Sequence, residues 1–202
     1  MPLESLGLKQ YTVPNSPQSV IFALITCNRP MRKLNMEELG RLSKSAYAAA
    51  ADARVTIVLD NIRSLHNVGS IFRSADGFGV HTLHLCGYTG KPPHPEIRKT
   101  ALGADETVTW QYHPDTATLL LQLKSEGYKL IALEQTDQSI ALTDFKMETE
   151  QAYAFILGNE VEGVQQKALE ICDASIEIPQ LGSKHSLNVS VAAGILMYAL
   201  RN

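Results

Sequence analysis

Short runs of consecutive apolar residues alternate along this chain with stretches whose apolar positions recur every three or four residues. Val55 to Leu59, rich in β-branched side chains, reads as a parallel strand buried on both faces. Further strands are expected at His81 to Leu85, about Thr107 to Gln111, Lys129 to Glu134, Ala154 to Leu157 and Ser175 to Ile178. Helical spacing predicts helices over Asn35 to Ala53, Gly69 to Phe78, Thr116 to Ser125, Val164 to Cys172 and Ser186 to Arg201. In the last of these, Ser186 stands where an N-cap belongs, ahead of Leu187, Val191, Ile195 and Leu196. Such alternation predicts an α/β domain, a mainly parallel sheet flanked by helices. Ligands of such sheets sit beyond the carboxyl ends of the strands. Three polar segments fall there: Asp60 to Val68, the turn after Leu157, and the loop after Ile178.

The first thirty residues are different. Pro2, Pro14, Pro17 and Pro30 interrupt them, and their one apolar run, Val20 to Ile25, has no partner nearby. Residues 1–30 are therefore expected to be a loosely attached extension. Met31 would begin the functional unit, with 31–53 an N-terminal helical segment and 54–202 the main domain.

At 202 residues with 45% hydrophobic content, the chain can bury one good core plus an appendage. No apolar run approaches the ~20 residues of a membrane span, and the start lacks a secretory pattern. Cys27, Cys86 and Cys172 are odd in number, widely spaced and outside any CxxC pair. That fits a reducing, cytoplasmic setting without a disulfide framework or zinc site. The net charge of −3 speaks against a generally basic nucleic-acid binder. Its distribution is uneven, however: Arg29 to Lys99 carries a net +5 and the remainder −8, so one segment could face phosphates or simply be a solvated surface.

The chemistry-bearing residues lie in the three loops. In the first, Asn67 and Gly69 lie where a helix is expected to open, and Arg73 follows one turn later, able to lean back towards the loop mouth. Helix N-terminal N–H groups beside a guanidinium suit a phosphate, although a lone arginine is more often plain surface. In the second, a strand delivers Gly158-x-Glu160-x-x-Gly163, where Gly158 permits close backbone approach. Glu160 is either a presented functional carboxylate or a cap for the following helix. In the third, Pro179 stops the strand ladder ahead of Gly182 to His185. No GxGxxG, P-loop lysine or GxSxG elbow is present, and the six histidines lack metal-ligand spacing.

Together, Asn67-x-Gly69-x-x-x-Arg73-Ser74-Ala75, Gly158-x-Glu160-x-x-Gly163, and Ile178-Pro179 with Ser186-Leu187-Asn188-Val189-Ser190-Val191-Ala192 resemble the signature of the SpoU (TrmH-like) RNA 2′-O-ribose methyltransferases of the SPOUT superfamily. The matches run in the family's order across roughly Val55 to Leu200. The resemblance implies a C-terminal trefoil knot, a homodimer, and S-adenosylmethionine held by Leu133, Glu134, Gly158, Asn159, Ile178, Gln180 and Leu187. It implies a catalytic set of Arg73, Asn67, Glu160, Ser186 and Asn188, with no metal. Methyl transfer to a ribose 2′-OH of structured RNA, tRNA before rRNA, follows as the expected activity; a non-catalytic knotted RNA-binding dimer is the alternative. A separate N-terminal RNA-binding domain is not evident, so RNA contacts are expected from Arg63, His66, Lys91, Arg98 and Lys99.

Overall fold

In the computed structural model, which describes residues 32–40, 42–183 and 186–201, the Val55 to Leu59 run lies within strand β1, Asp52–Asp60. Its side chains alternate between two cores. Ile57 and Leu59 join one cluster and Val58 the other, all with no exposed surface. That is what a continuous apolar run achieves when both faces of a sheet are covered. Full burial of each such side chain stabilises the fold by roughly 1.5–3 kcal/mol.

The sheet also contains β2 (Val80–Cys86), β3 (Thr109–His113), β4 (Lys129–Leu133), β5 (Ile140–Ala141), β6 (Tyr153–Leu157) and β7 (Ala174–Glu177). Its order is β3-β2-β1-β6-β4-β7-β5, and every pairing is parallel. Parallel pairing brings the carboxyl ends of β1, β4, β6 and β7 to one edge, from which the loops of interest leave.

Helices α1 (Met36–Leu39), α2 (Lys44–Ala50), α3 (Leu65–Phe78), α4 (Pro95–Ala101), α5 (Ala104–Thr107), α6 (Thr116–Ser125), α7 (Gln166–Leu169) and α8 (Val189–Ala199) complete the described elements. Val68, Ile71, Phe72 and Ala75 of α3 and Ala193, Leu196 and Met197 of α8 fill the first core. Leu119, Leu120 and Leu123 of α6 and Ala168 of α7 fill the second.

Several expectations need correction. The helix read over Asn35 to Ala53 is two short ones: Gly40 turns out of α1 at φ +62, and Ser43 caps α2 afresh by accepting from Ala46 N. The chain divides at this break into units 1–41 and 42–202. In the first, Asn35 and Glu38 form a reciprocal capping box, and Arg32 pairs with Glu38. In the second, Tyr47 of α2 is buried and donates from its hydroxyl to Val80 O at 2.7 Å. Helix α3 begins at Leu65 because Ser64 caps it, accepting from Asn67 N. Arg73 is thus two turns in rather than one. The Val164 to Cys172 helix shortens to α7, and the final helix starts at Val189 with Asn188, not Ser186, as its cap. Helices α4 and α5 and the short β5 occupy stretches where no element was expected. The readings for residues 1–30, and for Lys184 and His185, lie outside the described residues.

Candidate functional site

The three loops meet at the start of α3. Glu160, leaving β6, reaches across the sheet edge. Its Oε1 accepts from Ser64 N at 3.0 Å and Asn67 Nδ2 at 2.8 Å, and its Oε2 from Arg63 N at 2.9 Å. Burial pushes this carboxyl up, but the N–H donors outweigh it, so its pKa lies below the ordinary glutamate value. An anion at a helix N-terminus is stabilised by free N–H groups and the helix dipole. Here the protein's own carboxylate stands beside the helix start, on the N–H groups of the two residues that precede α3 and on the Asn67 side chain. Glu160 does not cap the helix that follows it; it braces the two residues leading into α3, whose cap is Ser64.

The chain of contacts continues beyond Asn67. Its Oδ1 accepts from Asn188 Nδ2 at 3.1 Å, while Asn188 Oδ1 accepts from Ser190 N and Ser190 Oγ. Asn67 therefore joins the Glu160 loop to the start of α8. Arg73 stands further along α3, exposed and without an ion pair or hydrogen bond among the described residues. Gly69 keeps α3 close to α4, since a Cβ there would lie 2.3 Å from Ile97 O and 2.1 Å from Thr100 Oγ1.

On the other side of Glu160 lies a cavity of about 260 Å³, at the small end of ligand sites. All seven positions assigned above to the cofactor line it, as do Glu160 and Ser186. Arg73, Asn67 and Asn188 do not. The loop that floors the cavity is built tightly. Asn159 and Gly163 exchange both backbone hydrogen bonds at 2.9 Å, and a Cβ on Gly158 would lie 2.1 Å from Gly163 C. Two of the assigned side chains are committed to this architecture. Glu134 accepts from Val164 N and Gln135 N, each at 2.9 Å. Asn159, buried, donates to Asn61 O and Tyr88 Oη and accepts from Val161 N and Glu162 N.

The five residues assigned to RNA do not form one cationic patch. His66 pairs with Glu96, Lys99 lies 3.9 Å from Glu96, and Arg98 bonds Glu106 at 2.7 Å. Lys91 stacks over the Tyr112 ring at 3.8 Å. The Arg63 side chain alone of the five is exposed without a partner among the described residues, although its backbone N–H is held by Glu160.

Sequence reasoning missed Asp60, which is fully buried at the end of β1. It accepts from Thr116 Oγ1 at 2.6 Å, Asn61 Nδ2 at 2.9 Å and Gln165 N at 3.0 Å, tying three loops together. A carboxylate directly closing an apolar strand was the available signal. Glu162 and Glu177, also unassigned, add two carboxylates to the cavity wall.

The profile of the SpoU rRNA Methylase family matches residues 54–198. The tRNA (guanosine(18)-2′-O)-methyltransferase of Thermus thermophilus is 33% identical over 146 residues, covering 71% of this chain and 72% of that protein. The 23S rRNA (guanosine-2′-O-)-methyltransferase RlmB of Bordetella pertussis is 30% identical over 142 residues, covering 70% of this chain but only 57% of its own length. Among solved structures, the A. aeolicus TrmH/SpoU tRNA modifying enzyme superposes with a TM-score of 0.69 at 26% identity, over 78% of this chain and 80% of that one. With the strand order, the three convergent loops and these matches in agreement, the chain belongs to the SpoU methylase family.

Proposed function

We propose that this protein transfers a methyl group from S-adenosylmethionine to the ribose 2′-OH of a nucleotide in structured RNA, tRNA before rRNA. The named activities of its relatives support the reaction class. The tRNA relative is matched over more of its length than the rRNA relative, which supports the order of substrates. One observation carries the reading: Glu160 both lines the cavity and holds the start of the helix that presents an unpaired Arg73. Arg73, Glu160, Ser186 and Asn188 are all in place, which favours catalysis over the binding-module alternative.

The cavity suits the cofactor. Its charged lining among the described residues is Glu134, Glu160, Glu162 and Glu177, with no lysine or arginine, a wall fit for a cationic sulfonium. Leu133, Leu157, Ile178 and Leu187 offer apolar faces for an adenine ring. Bound there, S-adenosylmethionine would supply an electrophilic methyl group on sulfur. Arg73 then orients the 2′-OH and neutralises the adjacent phosphate. A guanidinium does this as a fixed charge and donor, by positioning and electrostatics. Asn67 and Asn188 keep Arg73's helix in register with the cavity, and Ser186 offers a hydroxyl at the cavity wall.

The active unit in this reading is a homodimer with its C-terminal loops knotted, working in the cytoplasm. Val191 and Ile195, four residues apart on α8, stay exposed and support that helix as the contact. No described helix is long and apolar enough to cross a membrane. The test is methyl transfer from labelled S-adenosylmethionine to small RNA from cells lacking the protein, followed by nucleoside analysis. A 2′-O-methylated nucleoside that vanishes with Arg73→Ala, while cofactor binding persists, is the expected result. Cofactor binding without any labelled nucleoside would overturn the reading.

A further inference from the structure

A buried tyrosine ordinarily hides its ring and leaves its hydroxyl wet. Two tyrosines beside the Glu160 loop do the reverse. Tyr88 is 59% exposed, yet its hydroxyl accepts at 2.7 Å from the side chain of Asn159, which is only 6% exposed. Its backbone N–H is fixed as well, donating to Asn61 Oδ1 at 3.2 Å. Tyr112, on β3, is 40% exposed, and its hydroxyl donates to Gly87 O at 3.0 Å, one residue from Tyr88. The Lys91 ammonium sits 3.8 Å from the centre of the Tyr112 ring and has no carboxylate partner among the described residues. Both rings are therefore pinned by their polar tips to one corner of the molecule, the Tyr88 ring turned to solvent and the Tyr112 ring carrying the Lys91 ammonium on one face.

Such fixed rings have a use next to a site that handles single nucleotides. An unstacked nucleobase gains a π-face, the ring loses little conformational freedom on contact, and a nearby ammonium meets the flanking phosphate. Asn159, which holds Tyr88, immediately precedes Glu160, so the exposed ring belongs to the same loop assembly as the cavity. We propose that Tyr88, with the Tyr112–Lys91 pair beside it, is a stacking platform for an unpaired RNA base near the target ribose. This rests on the reading of the protein as an RNA methyltransferase. Stacking is tolerant of base identity, so the platform holds the strand rather than selecting the base.

The test uses the full chain with S-adenosylmethionine and small RNA from cells lacking the protein, comparing Tyr88→Leu with Tyr88→Phe. Loss of the ring should raise KM for RNA on the order of tenfold or more, whereas Phe, which keeps the ring, should retain most of the affinity that Leu loses. Lys91→Ala should give a smaller, salt-dependent rise. Calorimetric cofactor affinity reports whether the loop is intact in each variant. A KM for Tyr88→Leu within twofold of the parent overturns the proposal. So does a Phe variant as impaired as Leu, because the hydroxyl brace would then be the residue's only role. A second arm does not depend on methyl transfer: an unpaired oligoribonucleotide carrying 2-aminopurine should be quenched by the parent protein and not by Tyr88→Leu. If the parent transfers no methyl group, the functional reading falls, and this arm still decides whether the ring stacks bases. Equal quenching by both proteins would overturn the platform.

Discussion

Replacing Glu160 by Gln tests whether one carboxylate holds the site together. Three donors converge on it: Ser64 N and Asn67 Nδ2 on Oε1, and Arg63 N on Oε2. Gln keeps one acceptor oxygen and puts an NH2 where the other was, so at least one N–H faces another donor. Losing one such bond costs about 1–1.5 kcal/mol, and the remaining bonds lose the extra strength that ionisation gives them. The total is about 2–3 kcal/mol, which for a chain of this size lowers Tm by roughly 5–10 °C. The pH dependence sharpens the test. Because the folded pKa of Glu160 is depressed, its contribution is fully present above the ordinary glutamate value of 4.5 and is lost as pH falls through the lower folded value. Parent and Glu160→Gln should therefore differ in thermal unfolding at pH 7, with the gap closing at a pH low enough to protonate the folded carboxylate, where a protonated glutamate resembles glutamine. An equal gap at both pH values, or no gap at pH 7, would refute the reasoning.

Further outcomes follow from the same geometry. Arg73→Ala should abolish methyl transfer while shifting unfolding free energy by no more than about 0.5 kcal/mol, since the side chain is exposed and unpaired among the described residues; a thermal melt beside the transfer assay checks both. Gly158→Ala should cost about 3 kcal/mol and weaken cofactor binding, because its Cβ would lie 2.1 Å from Gly163 C and Val164 N; calorimetry against S-adenosylmethionine measures it. His84, buried and 3.0 Å from the His113 ring, has its pKa pushed down to about 4, chiefly by burial and then by His113, with Glu126 opposing. Its neutral form therefore stabilises the fold above the ordinary histidine value of 6.5, and that stability drains away between there and about 4, up to roughly 3 kcal/mol. Denaturant unfolding at pH 7 and pH 5 should show the loss, and His84→Phe should flatten it.

The sequence made much of this legible because the signals were local. Helix α6 appears at the expected residues, since Asp115 caps it by accepting from Thr118 N and Leu119, Leu120 and Leu123 form its buried face. The strands stand within a few residues of their apolar runs, because a run that must be dry on both faces has little freedom in where it starts. Where the reading failed, either a local signal was overlooked or none existed. No helix was expected at Pro95, yet at the first position of α4, behind the cap His94, its missing N–H costs nothing. Ser64 was an equally plain cap, three residues before Asn67, and it moved the start of α3 back by a turn. By contrast, no pattern in 158–163 could announce that Glu160 would bind backbone 96 residues earlier. That contact depends on β6 lying next to β1, a strand order that periodicity does not encode.

That long-range contact also decides what kind of site this is. A phosphate seated on the α3 N-terminus would have made the first loop a binding site in its own right, independent of the cavity. With Glu160 bound to the residues leading into α3, the loop lining the cavity and the helix carrying Arg73 share a carboxylate, and Asn67 extends the link to Asn188 at the head of α8. Moving the 158–163 loop by even 1 Å would stretch bonds of 2.8–3.0 Å past useful length, so the cavity cannot reshape while α3 stays still. Occupying the cavity should therefore protect the Arg63 and Ser64 amides from hydrogen exchange, although neither residue lines it. Unchanged exchange at those two amides on saturation with S-adenosylmethionine would mean that Glu160 is a brace and no more, with Arg73 positioned by packing of α3 alone.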